Sequence, residues 1–360
     1  MLAPAPHRVA PHAHSLLHLY LCDISLLTPL GAEIERVRAA VNARVSSYQA
    51  CALPGDAEHS IMFSPIPDAA LSCPLPLLLP GLSAPHIRLL KIAASTLGRL
   101  PFINELHNSP LFLAGPELYY EKNRVSPLFI DHLIKTTGAA IEPKTSRYFA
   151  SGRAGLLYAL DAAFDYLEHN PKAVVLTGAM DTFYDAKTLG LLASQNRLLG
   201  EGVFDGFVPG EGATFLLLTT AHGPTELINR AQLKLARPGL GFEPGHLLSN
   251  KPNPAHALSM AVGDALNTAA QPIKKIYTSE NGEAYYGREF SVPRLRHATK
   301  MIADVPVCRL AEFCGDLGAA FPGAALALAA QDAITSTADS ILISASSDAG
   351  ARAAICVSPV

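Results

Sequence analysis

The chain has 360 residues, a 49% hydrophobic and 16% charged composition and a formal net charge of −3. That balance supplies a deep core for one large domain or two packed halves, and it excludes an intrinsically disordered chain. The weak negative charge gives no electrostatic footprint for nucleic acid or an anionic membrane.

Residues 1–15 are rich in Pro, Ala and His without apolar periodicity, which predicts a flexible tail. Leu17 to Ser25 reads as a strand, Leu26 to Gly31 as a turn and Ala32 to Ala43 as an amphipathic helix. A helix is predicted over 84–97, a buried strand over 109–114 and a helix over 152–169. Ala173 to Leu176 reads as a strand ending at Gly178, and a Gly-rich turn then leads into a strand over 213–219. A linker at 221–224 opens a second series: strand 228–236, helix 255–269, strand 273–278 and helix 292–303. A helix over 317–330 and strands at 340–344 and 353–357 complete it. The division is therefore an N-terminal half over 16–222 and a C-terminal half over 223–360. Leu16 to Leu30 is apolar but carries Asp23 and Pro29 and is too short to span a bilayer. Six cysteines without a CxxC pair suggest a reduced, cytoplasmic protein and no metal site.

The most specific string is Asp205-Gly-Phe-Val-Pro-Gly-Glu-Gly-Ala213, a tight turn that runs into a buried strand. Preceded by Leu176-Thr-Gly-Ala-Met-Asp181, it resembles the β-ketoacyl synthase family. Leu27-Thr-Pro-Leu-Gly31, Leu111 to Gly115 and Gly315-Asp-Leu-Gly-Ala-Ala320 are similar to further family segments in the same order. The resemblance implies an α/β fold of the thiolase-like type, five-layered αβαβα with two similar halves. It also implies a dimer, and acyl-chain condensation on acyl carrier protein by a cysteine and two histidines.

Those three residues are not found where the resemblance places them. Counting back from Thr177, the nucleophile position falls on Arg153, which cannot attack a thioester. The first histidine position falls on Asn281, which cannot shuttle a proton. The second falls on Gly315 or Asp316, a family lysine on Leu310, and the phenylalanine that gates the acyl pocket on Asp348. A buried arginine at a helix N-terminus needs a counter-charge. Asp348, Asp316 and Glu283 are the proposed ion-pair partners of Arg153, and Ser151 is the alternative nucleophile.

These replacements predict no catalytic set and no cofactor. The expected role is a catalytically inactive partner subunit of the chain-length-factor kind, a homodimer or a heterodimer with an active ketosynthase that also meets acyl carrier protein. Two other readings stay open: a thiolase-fold adaptor or chaperone for a type VI-like secretion effector, and an acyltransferase using Ser151.

Overall fold

The computed structural model describes residues 17–53, 56–77, 79–101, 103, 108–118, 125–335 and 340–360. The tail expected over 1–15 lies outside them. The N-terminal half runs β1 (Leu19–Leu27), α1 (Ile34–Asn42), β2 (Gln49–Leu53), β3 (Asp56–Phe63), α2 (Ala84–Leu97) and β4 (Leu111–Ala114). It continues through α3 (Phe129–Thr137), β5 (Arg147–Phe149), α4 (Gly155–His169), β6 (Val175–Thr182), α5 (Ala186–Ser194) and β7 (Glu211–Thr219). The C-terminal half starts with α6 (Thr225–Ile228), β8 (Leu233–Leu235), β9 (Gly239–Phe242), α7 (His256–Leu266), β10 (Ile273–Thr278) and α8 (Ala284–Arg296). It ends with β11 (Val307–Arg309), α9 (Ala311–Cys314), α10 (Phe321–Thr335), β12 (Ser340–Ser346) and β13 (Ala351–Pro359).

The strand order β11-β10-β12-β13-β8-β1-β7-β6-β4-β5 contains the same pattern twice. In one half β5, β4 and β6 are parallel, and β7 and then β1 are antiparallel additions. In the other, β11, β10 and β12 are parallel, followed by antiparallel β13 and β8. The halves meet where β1 pairs antiparallel with β8, Leu19 opposite Leu235 and Leu21 opposite Leu233.

Strand faces separate the layers. Leu176, Met180, Phe215 and Leu217 face α2 and α3 in one core. The alternate residues Val175, Ala179, Leu216 and Leu218 join α4, α10 and the inward faces of β12 and β13 in a second core. Ile273, Ile276, Leu342 and Ala354 pack on α7 and α8 in a third. The result is five layers, αβαβα, with α4 and α10 buried at the centre. Strands buried on both faces lose their alternation and read as apolar runs.

Several boundaries depart from the sequence expectation. β6 runs through Gly178 to Thr182, because a Cβ at Gly178 would meet the Phe215 ring at 2.5 Å; the glycine is a packing requirement, not a terminator. The strand expected over 228–236 shortens to β8, because Thr225–Ile228 turns as α6. The helix expected from Val292 begins at Ala284, whose amide donates to Asp205 Oδ1 at 2.7 Å. Pro293 therefore lies inside α8 instead of opening it.

Candidate functional site: a charge clamp between two helix elbows

Both central helices are entered by the same device. A one-turn 3₁₀ segment, Gly152–Ala154, precedes α4, and another, Gly318–Ala320, precedes α10. Gly152 and Gly318 have φ of 53° and 52°, a left-handed conformation that costs L side chains. A Cβ at Gly152 would meet Glu117 Cγ at 2.3 Å, and one at Gly318 would meet the Asp181 carboxyl. Each elbow is thus packed against an acid from the carboxyl end of an N-terminal-half strand.

Arg153 lies on the first elbow and is 2% exposed. Its Nε donates to Asp316 Oδ1 and Oδ2 at 3.1 and 2.8 Å, and its Nη2 also donates to Asp316. Its Nη1 donates to Asp348 Oδ1 at 2.5 Å and to the Tyr286 hydroxyl at 3.2 Å. Burial opposes the charge on Arg153, yet Asp316 and Asp348 outweigh it and hold its pKa well above the ordinary value. The arginine is a fixed cation.

A second arginine completes the clamp. Arg197 donates from Nη1 to Asp348 Oδ2 at 2.7 Å, and from Nε and Nη2 to the two Glu283 oxygens at 2.7 and 2.8 Å. Glu283 therefore holds Arg197 in a bidentate pair and is joined to Arg153 only through neighbours. Asn281 Nδ2 bridges Glu283 and Asp316, 3.0 Å from each. The Phe207 ring lies beside both guanidinium groups, 6.0 and 5.4 Å from their carbons. Gly315, at φ 67°, only turns the chain: the Asp316 amide donates to Val208 O at 2.7 Å, and the Gly210 amide to Asp316 O at 3.1 Å. The Gly-rich string that marked the sequence thus fixes the second elbow.

Glu117 faces the clamp from the loop after β4. Its oxygens accept the amides of Asp348 and Ala349 at 2.8 and 3.0 Å. Burial and the neighbouring Asp348 push its pKa up to about 8. Burial also raises Asp181, to about 7, with Asp316 adding to it. Both acids, Arg153 and both elbow glycines line one cleft, with room for several water molecules.

The Ser347 hydroxyl accepts the Ala154 amide at 2.9 Å and donates to Ser151 O at 2.6 Å, tying the first elbow to the turn after β12. No described residue hydrogen-bonds the Ser151 hydroxyl. His86, which lines the cleft, has its Nδ1 3.1 Å from the Ser83 hydroxyl. Cys314 lies two residues before Asp316, but burial pushes its thiol well up and it donates to Leu310 O at 3.1 Å, the mark of an inert thiol. Leu310 is itself a buried core residue. Among the described residues no cluster of three or more His, Cys, Asp or Glu could hold a metal, and no helix is long and apolar enough to cross a membrane.

Sequence reasoning missed Arg197, Tyr286 and Glu117. An arginine just past a helix and a glutamate in a loop carry no periodic signal. Tyr286 directly follows the Asn281–Tyr285 turn and was the nearest to detection.

The fold and the paired elbows define a thiolase-like architecture of the ketosynthase type. Solved structures share this fold. The ishigamide ketosynthase/chain length factor aligns with 96% of this chain and 99% of its own, at 14% identity and a TM-score of 0.72. A chain from the complex of a type II polyketide acyl-carrier protein with its ketosynthase, bound to the hexaketide, aligns over 96% of this chain and 100% of its own at 13% identity and 0.72. A ketosynthase in complex with its chain length factor from Xenorhabdus doucetiae aligns over 98% and 100% at 11% identity and 0.70. At such identities the likeness is one of fold. No protein-family model and no curated protein matches the sequence.

Proposed function

We propose that this chain is a ketosynthase-fold subunit without condensing activity, which acts as a chain-length-factor-like partner in an acyl-chain-building system. The observation that carries the reading is Arg153, a buried permanent cation at the elbow where the resemblance puts a nucleophile, held by Asp316 and Asp348. A guanidinium neither attacks a thioester nor gives up its proton near neutral pH. Asn281 and Gly315 carry no titratable side chain, and both Asp316 oxygens are taken by Arg153. Among the described residues no base meets the Ser151 hydroxyl, which weighs against a relocated acyltransferase.

The partner in this reading is an active ketosynthase, with a second copy of this chain as the other dimeric form. β5 ends the sheet, and among the described residues its outer edge forms no ladder, an edge of the kind a partner strand extends. The six cysteines are free thiols, in keeping with a reducing cytoplasm. The decisive experiment incubates the protein with malonyl- and medium-chain acyl carrier protein and records its intact mass. A co-expressed ketosynthase is tested for co-purification and altered product length. An acyl adduct on this chain overturns the reading; a co-purified ketosynthase with changed product length establishes it.

The buried clamp on Arg153 also suits one other role, an adaptor that keeps the fold as a binding surface, for instance for a secretion effector. Co-purification with a non-enzymatic protein instead of a ketosynthase selects that role.

A further inference from the structure

Asn281-Gly282 is the only Asn-Gly pair in the chain. An asparagine followed by glycine is chemically labile, because with no side chain in the way the glycine amide nitrogen reaches the asparagine Cγ and displaces ammonia. Water then opens the cyclic succinimide to aspartate or isoaspartate. Gly282 is exposed, with φ 114°, and among the described residues nothing accepts its amide. The attacking nitrogen is therefore open to solvent and unengaged.

The group it would attack is locked. Asn281 is 6% exposed. Its Oδ1 accepts the Glu283 amide at 3.2 Å, and its Nδ2 donates to Glu283 Oε2 and Asp316 Oδ2 at 3.0 Å each. These bonds fix the plane of the side-chain amide. To depart as ammonia, the nitrogen must gain a proton, yet both its neighbours are acceptors, Glu283 paired to Arg197 and Asp316 to Arg153. The product is opposed as well. The clamp already sets three carboxylates against two arginines. An aspartate at 281 would bring a fourth to the place where amide hydrogens now meet two of them. Isoaspartate would also insert a methylene into the main chain beside Gly282.

We infer that Asn281 is a deamidation site controlled by the clamp: the closed clamp protects its amide, and opening exposes it to conversion into an acid that keeps the clamp from closing again. The conversion consumes one water and releases one ammonia, with no oxidant, enzyme or cofactor. It runs from the open state, so its rate follows the fraction of molecules in which the clamp is open. Loss of ammonia makes each event permanent. Asn281 thus records clamp opening irreversibly, whichever partner the chain serves.

The test holds the full chain at pH 7.5, native and in guanidinium chloride, and follows residue 281 by peptide mass mapping. Asn281 should last at least tenfold longer in the native chain than in the denatured one. R153M removes a clamp arginine that does not touch Asn281, and it should shorten that lifetime while the chain is still folded by circular dichroism. N281D, the product, should melt below the unmodified chain and below N281S, which lacks the labile amide without adding charge. Equal conversion in native and denatured chains overturns the inference. So does N281D melting with the unmodified chain, or folded R153M converting no faster. The native-to-denatured ratio and the N281D melt decide the matter even where R153M fails to fold.

Discussion

Arg153 and Asp316 belong to the elbows of the two pseudo-symmetric halves, and the guanidinium of one grips both carboxylate oxygens of the other at 2.8 and 3.1 Å. A pair placed there does more than fill a space. It joins the entries of α4 and α10, the two helices buried between the sheets.

Replacing Arg153 by methionine keeps most of the volume and removes the charge, leaving Asp316 and Asp348 buried without their shared cation. Breaking a buried pair from one side costs about 3–5 kcal/mol. A urea denaturation midpoint at pH 7 should fall accordingly. The triple variant R153M/D316N/D348N, with no unpaired charge there, should regain part of the loss; a triple variant weaker than R153M would contradict this account.

Restoring a cysteine should not restore chemistry. In R153C the thiol would sit beside two carboxylates, which disfavour a thiolate, with an asparagine and an aspartate where bases are needed. Intact mass after exposure to acyl carrier protein thioesters should show no adduct. A labelled R153C would mean that the surrounding residues still activate a nucleophile.

The buried acids give stability a definite pH dependence. Glu117 keeps its proton in the folded chain up to about pH 8 and Asp181 up to about 7, whereas the unfolded chain releases both near pH 4. Folding takes up protons between these limits, so their contribution is greatest below pH 4 and is lost as pH rises through 7 to 8. Between pH 5.5 and 8.5 the unmodified protein should lose stability, and E117Q should lose less. Parallel pH profiles would place the proton on some other group.

Two glycine substitutions separate strain from collision. Gly138, at φ 69°, ends α3 with nothing within 4 Å of a new Cβ. G138A should cost only the left-handed penalty, roughly 1–2 kcal/mol. Gly152 has a similar φ, but its Cβ would strike Glu117 at 2.3 Å. G152A should add about 1–3 kcal/mol of overpacking, seen as the larger drop in melting temperature. Equal drops would mean that the Glu117 loop yields freely.

The legible parts of the sequence are those with two buried faces. β7 and β12 are buried throughout, and α2 matches its expected span from Ala84 to Leu97. The hairpin β2–β3 and the three-residue strands β5 and β11 escape notice, because short or half-exposed strands have no run to read. α8 is misread because a proline normally opens a helix, and the capping carboxylate of Asp205 is 79 residues away. At the site, Arg153, Asp316 and Asp348 can be located by counting from glycine turns. That Arg197 closes the same clamp depends on long-range packing, which no local string encodes.

The seam between the halves has a consequence for how the chain is made. β1, which leaves the ribosome before every other described strand, lies in the interior of the sheet, and its two neighbours are β7 and β8. Both arrive some two hundred residues later, a delay on the order of tens of seconds at ordinary synthesis rates. Until then an apolar strand with two open edges is exposed to the cell. A nascent chain stalled before Glu211 should therefore recruit chaperones through Leu19–Leu27, and one carried past Leu235 should release them.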